Sequence, residues 1–318
     1  MRNRNIFILG LGFIDGVIIF ILLTNLQPVQ ILEPINSQLQ SVTHFPSVTE
    51  SATSTQTIRL STKTLLETMK PRFTDTLTPS PTPGEGVPIR IGDSFGHRGI
   101  EVFRFGIGKE KRTIVAGIHG SYESNTTALA FELISYLQKN PKEIPPDIEL
   151  FILPSLNPDG EARPGIPDGR LNDHGVDLNR NWDANWKATW LTAGCWNMMP
   201  VSAGEKPFSE PETKALADFL IRTQVKVLIS YHSAGLGIFP GGIPVDRASK
   251  ELASLLANYC PYPYPAKFST CELTGQLVDW AANHGIAAVD IELTNHQDTD
   301  LLINLKILKA FLSWNFRE

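Results

Sequence analysis

Three side chains in this sequence, His119, Glu123 and His232, are of the types that hold zinc. Imidazole and carboxylate are usual zinc ligands, and a catalytic site leaves a fourth position for water. His119 and Glu123 lie four residues apart in Gly117-Ile118-His119-Gly120-Ser121-Tyr122-Glu123, where an apolar run passes into a helical one, so both can face one ion. His232 stands in Ser230-Tyr231-His232-Ser233 at the end of another apolar run. Taken singly, each histidine suits an ordinary hydrogen-bonded structural role; the pair together with the third residue points to a shared ion. Glu292 lies in Asp290-Ile291-Glu292-Leu293, within a strand pattern. A buried carboxylate is expensive unless it is paired or used. Either it meets a core arginine, or it is a general base whose pKa burial raises towards neutrality. The stretch Gly175-Val176-Asp177-Leu178-Asn179-Arg180-Asn181-Trp182 offers a different chemistry. A guanidinium binds a carboxylate through two parallel bonds, and a neighbouring amide adds a donor, so Asn179 and Arg180 form a candidate carboxylate grip. The plain alternative for that stretch alone is a surface turn.

These residues need a frame that brings distant segments together. Strand patterns cover Ile89–Ile91, Ile100–Phe105, Thr113–Ile118, Ile148–Leu153, Val225–Ser230 and Ala287–Leu293. Helical periodicity covers Thr126–Leu137, Glu210–Ile221, Ala248–Ala257, Leu277–Asn283 and Leu301–Trp314. Buried strands alternating with amphipathic helices predict an α/β sandwich around a largely parallel or mixed sheet. In such sheets, sites gather at the carboxyl ends of strands. The histidines and Glu292 fall at those ends, and the Ile148 strand leads through Asn157-Pro158-Asp159-Gly160 and Arg170 to the Asn-Arg stretch.

The N-terminal part reads differently. Arg2 and Arg4 precede an apolar run from Ile6 to Leu23, interrupted by Gly10, Gly12, Asp15 and Gly16. Its length is near the minimum for spanning a bilayer, and the leading arginines favour a cytoplasmic N-terminus. No small-residue cleavage site follows, so residues 1–28 are expected to be a cytoplasmic stub and an uncleaved signal anchor; cleavage would instead give a secreted protein. Asp15 costs insertion energy. From Ser37 to Pro83 the chain is dominated by Ser, Thr, Pro and Gln. Such a segment buries too little apolar surface to offset its ordering entropy, which makes 29–86 a disordered stalk open to O-glycosylation. The folded domain is expected over 87–318, outside the cytoplasm. A net charge of −5 gives no electrostatic reason to expect nucleic acid as a partner. Cys195, Cys260 and Cys271 are an odd number, so at most one pair can bridge within the chain, and no C-x-x-C suggests thiolate zinc. His97, His174, His284 and His296 carry no assigned role, although His296 follows Glu292 by four residues.

Taken in order, the His/Glu pair, Asn-Pro-Asp-Gly, an arginine, Gly-Val-Asp-Leu-Asn-Arg-Asn-Trp, Ser-x-His-Ser and a strand glutamate resemble the zinc carboxypeptidase (metallocarboxypeptidase, carboxypeptidase A/B-like) family. The resemblance covers roughly Ile89 to Phe316. It implies a three-layer α/β/α sandwich with a mixed, mainly parallel central sheet. It implies one zinc per chain, held by His119, Glu123 and His232. Arg170 then stabilises the oxyanion, Asn179 and Arg180 bind the substrate's terminal carboxylate, and Glu292 is the catalytic base. The implied substrates are peptides with a free C-terminal carboxylate. The catalytic domain is expected to be monomeric.

The sequence also departs from the family pattern. The usual ligand spacing is H-x-x-E, and here it is H-x-x-x-E. The tyrosine that often covers the substrate would fall at Cys271, with Tyr262 and Tyr264 out of register. The Ser/Thr/Pro segment is too short and polar to be a globular pro-domain. The position that often sets specificity falls at Val278, which implies an aliphatic, aromatic or small terminal residue rather than a basic one. Relatives of bacterial type trim peptidoglycan stem peptides and release diaminopimelate, so a murein-peptide amidase is the second reading. A silent binding module on a stalk is the third.

Overall fold

The computed structural model describes residues 85–163, 168–190, 201–266 and 273–315. The expected anchor, nearly all of the stalk, Cys195 and Cys271 lie outside those residues. Among the described residues no helix is long and apolar enough to cross a membrane, and Cys260 is a free thiol.

Seven strands form one sheet: β1 (Glu85–Asp93), β2 (Gly99–Gly106), β3 (Glu110–Val115), β4 (Ile148–Leu153), β5 (Val227–Ser233), β6 (Gly237–Pro240) and β7 (Ala287–Leu293). Their order is β1-β2-β4-β3-β5-β7-β6. The four central strands, β4, β3, β5 and β7, run parallel. Antiparallel pairing is confined to the flanks, where β2 joins β4, β1 joins β2 and β6 joins β7. The mixed, mainly parallel sheet expected from the sequence is therefore present. Strand β6 has no counterpart in the sequence pattern, because its four residues are too few to show a period.

Central strands buried on both faces need a helix layer on each side. One layer comprises α1 (Ser124–Lys139), α4 (Arg247–Ala257) and α6 (Leu301–Ser313). Its Leu133, Leu252 and Phe311 pack with Ile114, Ile229 and Val289. The other comprises α3 (Pro211–Thr223) and α5 (Leu277–Asn283), whose Leu216, Leu220 and Trp280 pack with Val115, Leu228 and Ala288. Consecutive residues such as Leu228 and Ile229 thus serve opposite cores, as the two-residue period of a strand requires. A short helical turn, α2 (Pro158–Glu161), is capped by Asn157, which accepts from Gly160 N at 2.8 Å. Arg112, buried in β3, donates to the carbonyls of Phe311 and Trp314 and so ties the end of α6 to the sheet.

Two features of the sheet position the candidate residues. The strand expected over Thr113–Ile118 ends at Val115, which frees Ala116 to His119 as a connection at its carboxyl end. The β5–β7 register sets His232 opposite Glu292 and Ser230 opposite Asp290. Parallel pairing thus brings two candidate site residues side by side.

One buried acid in this frame makes stability depend on pH. Asp279 in the first turn of α5 accepts from Gly242 N at 2.8 Å, and burial pushes its carboxyl up to about 6. Because the folded value lies above the unfolded one, its stability contribution is fully present below about pH 4 and is lost as pH rises through about 6. Asp279→Asn is therefore expected to gain on the order of 2 kcal/mol at pH 8 relative to its effect at pH 4. Urea unfolding at the two pH values measures this, and an equal effect at both would refute it.

Candidate active site

The loop after β3 delivers His119 to the carboxyl edge of the sheet. A 3₁₀ turn over Gly120–Glu123 follows, and α1 starts at Ser124. This tighter turn absorbs the extra residue of H-x-x-x-E. Glu123 Oε1 lies 2.7 Å from His119 Nδ1. Gly120 sits at φ +46°, and a Cβ there would lie 2.6 Å from the carbonyl oxygen of Gly169. The turn therefore requires glycine. From β5, His232 Nδ1 approaches to 3.3 Å from His119 Nδ1 and 3.2 Å from Glu123 Oε2. All three side chains are buried, and one donor atom from each lies within 4.8 Å of the others.

The backs of the imidazoles are also engaged. His119 Nε2 faces Asp177 Oδ1 at 3.2 Å, and His232 Nε2 is 3.0 Å from Ser230 Oγ. A polar partner on one ring nitrogen leaves the other to face an ion, which is how metal-binding histidines are oriented. Burial alone would raise the Glu123 carboxyl, but the charge and hydrogen bond of His119, with His232, hold it below the usual carboxylate range. Burial likewise opposes a charge on His232, yet Asp290 and Glu123 raise its pKa well above the ordinary value. This electronegative pocket of two imidazoles and a carboxylate fits a divalent cation such as zinc.

Asp177 joins this cluster to the arginines. Arg170 Nε and Nη2 both reach Asp177 Oδ2 at 2.9 Å, and Asp177 Oδ1 accepts from Asn179 N at 2.9 Å. The Arg170 guanidinium also lies 3.5 Å from Glu123 Oε1 and 5.7 Å from the centre of the Tyr122 ring. Arg180 Nη1 donates to Asn179 O at 2.7 Å, while its buried Nε has no hydrogen-bond partner. Burial depresses the Arg180 pKa, although Asp177 opposes the shift. Asn179 Oδ1 accepts from Leu277 N at 3.0 Å at the start of α5, and its Nδ2 lies 3.3 Å from His232 Nε2. Glu292 Oε2 accepts from Gly235 N at 2.8 Å. Burial raises the Glu292 carboxyl, with His232 opposing and Glu123 adding to the rise.

One cavity of roughly 150 Å³ is lined by the triad, Arg170, Asn179, Arg180 and Glu292. Val278 is not among its lining residues. It lies in the first turn of α5 and is buried in the core, its backbone carbonyl and Cβ close against Gly241. Leu273 and Gln276 line the wall instead. The slot at Cys271 lies outside the described residues. Reasoning from sequence gave no role to Asp177 or Asp290, although each stands within a motif that it had singled out. His296 also lines the cavity, 3.1 Å from Ser233 Oγ and 4.9 Å from the Tyr122 ring centre. Its four-residue offset from Glu292 was the available signal. The requirement at Gly120 is testable. Gly120→Ala is expected to weaken zinc binding at least about tenfold, read by competition with a chromogenic chelator, while circular dichroism stays native. Undiminished affinity would show that the turn does not position the ligands.

The family profile described as zinc carboxypeptidase matches residues 87–311. Murein peptide amidase A of Escherichia coli (strain K12) is 29% identical over 191 residues, which cover 58% of this chain and 71% of that protein. Carboxypeptidase A2 of Rattus norvegicus is 29% identical over 238 residues, covering 64% of this chain but only 56% of the relative. Among solved structures, bovine thrombin-activatable fibrinolysis inhibitor, in complex with tick carboxypeptidase inhibitor, superposes with a TM-score of 0.57 at 23% identity, covering 71% of this chain and 86% of that one. The murein-tripeptide amidase from Escherichia coli O157 gives 0.54 at 24% identity, covering 75% and 98%. At such identities the structural matches establish the carboxypeptidase-like α/β fold. The profile extends over most of the chain and nearly all of its folded part, and this protein belongs to the zinc carboxypeptidase family.

Proposed function

We propose that this chain is a zinc-dependent exopeptidase that hydrolyses the last amide bond of peptides ending in a free carboxylate. Arg180 carries that reading: a buried guanidinium with an unpartnered Nε, in the same cavity as the metal-binding triad. A planar cation kept from water is a receptor for a carboxylate.

His119, Glu123 and His232 would hold the ion. When bound, zinc supplies a Lewis acid that polarises a carbonyl and acidifies water. Glu292, held by Gly235 N and raised by burial, takes the proton of the attacking water and returns it to the leaving amine. Arg170, fixed by Asp177, offers positive charge where the oxyanion develops. Arg180 and Asn179 hold the chain end, so the scissile bond is the last one.

Murein peptides are the second reading for the substrate. The alignment covers more of murein peptide amidase A than of carboxypeptidase A2, 71% against 56%. In keeping with that reading, residues 1–28 anchor the chain and 29–86 hold the monomeric domain 87–318 outside the cytoplasm. A mass-spectrometric digest of a mixed peptide and muropeptide library reports both whether cleavage is C-terminal and which residue leaves.

Two substitutions test the assigned roles. Glu292→Gln is expected to lower kcat by about a thousandfold while zinc remains bound, and retained turnover would exclude Glu292 as base. Arg180→Ala is expected to lower kcat/KM for free-ended peptides on the order of a hundredfold, mainly through KM. If C-terminally amidated peptides were cleaved as well as free-ended ones by the unaltered enzyme, Arg180 would have no such function.

A further inference from the structure

The cavity contains one carboxylate that the proposed reaction leaves without a task. Glu123 faces the two histidines, Asp177 is bound by Arg170, and Glu292 is held by Gly235. Asp290 lines the same cavity, is 5% exposed, and its Oδ1 has no hydrogen-bond partner. Its ion-pair partner at 3.5 Å, His232, is also needed for the ion, and a buried carboxylate so weakly paired is costly, so a further group of opposite charge is a natural occupant beside it.

The neighbouring cations do not fill that place during catalysis. His232 Nε2 is 3.5 Å from Asp290 Oδ1, a distance for attraction without hydrogen-bond geometry. The same nitrogen has Ser230 Oγ at 3.0 Å, so orienting the ring does not require Asp290. Arg180 lies within electrostatic range of Asp290, but the proposed reaction engages its guanidinium with the substrate's terminal carboxylate. Leu273 and Gln276, which also line the cavity, add no charge.

Position along β7 gives the carboxylate its direction. Asp290 precedes Glu292 by two residues on the same strand face, about 6.6 Å further into the sheet. Its register partners are Ser230 on β5 and Phe239 on β6. A residue whose chain end meets Arg180 and whose bond meets Glu292 has its side chain in the same cavity, which Asp290 also lines.

We propose that Asp290 sets the preference for the leaving residue and selects a cationic, amine-bearing side chain. The proposal rests on the reading of the chain as a C-terminal hydrolase. Lysine or ornithine at a peptide end and a diamino acid in a murein peptide share this chemistry. An acidic side chain would meet like charge, and an apolar one would give the carboxylate no partner beyond His232. This replaces the aliphatic, aromatic or small preference expected from Val278, which does not line the cavity.

The test uses the detergent-solubilised, zinc-loaded full chain and blocked peptides that differ only in the last residue. Lysine, norleucine and glutamate are compared, with a murein tripeptide ending in a diamino acid as a separate arm. Lysine is expected to exceed norleucine at least about tenfold in kcat/KM, and Asp290→Asn to bring that ratio close to one. Calorimetric titration with the free amino acids should show the same order, lysine before norleucine, and should lose it in the variant. The murein arm distinguishes the source of the amine: a further gain over the lysine peptide assigns it to the cell wall. Norleucine equal to lysine in the unaltered enzyme would overturn the proposal. So would an equal fall for both substrates in Asp290→Asn, the signature of a carboxylate that acts only on His232. Cleavage of none of these substrates would overturn the hydrolase reading, and this assignment with it.

Discussion

The site depends on the Asp177 carboxylate. It is fully buried, and burial alone would raise its pKa, but Arg170, then His119, hold it well below the usual range. A charge in that position persists only if its partners stay in place. Those partners come from two segments of the site: His119 belongs to the candidate metal triad, and Arg170 lines the cavity beside it. The Asn179 N–H joins them, so the backbone of the Asn179–Arg180 segment is fixed by the same two oxygens. One side chain thereby sets the spacing between the candidate metal triad and the two arginines. Such a network costs free energy to bury and offsets that cost only when complete.

The sheet supplies what Asp177 cannot. Residues on neighbouring parallel strands share a level, and the register puts His232 beside Glu292 without any local motif linking them. The connections at the carboxyl ends then add His119, Arg170 and Arg180 from the side. The three asparagine and arginine positions after Asp177 divide the remaining work. Asn179 caps the start of α5, Arg180 faces the cavity, and Asn181 donates to Ala203 O at 2.7 Å and so pins the following loop. Trp182 closes the segment inside the core against Trp280. The segment is therefore held in place because each neighbour of Arg180 is used structurally.

Much of this was legible in the residues themselves. Strands buried on both faces read as short apolar runs, and amphipathic helices show their period, so α1, α3, α4, α5 and α6 were foreseen within a few residues. Strand β6 was not, since its pairing with β7 is a tertiary fact and its own pattern is too short. Chemical type and order pointed to His119, Glu123, His232 and Glu292, which the fold brings into one cavity. Asp177 and Asp290 were harder. A carboxylate in a motif does not announce whether it faces an arginine, an imidazole or an empty cavity, because that depends on strand register and loop closure. Val278 shows the converse: its place two residues before Trp280 suggests a lining residue, while the rotation of α5 turns it into the core.

The origins of the three metal-binding side chains link binding to folding. Glu123 and His119 come from one turn, whereas His232 arrives only when β5 has paired in register with its neighbours. An unfolded chain offers the first two donors without the third. An ion that meets its full set of donors only in the native sheet stabilises that state over the others by mass action. Much of the ordering entropy must then be overcome by non-local strand pairing before the ion can contribute. In this architecture a metal held by the three side chains would act as a seal on a completed sheet, and its retention would measure correct strand order as much as local ligand chemistry.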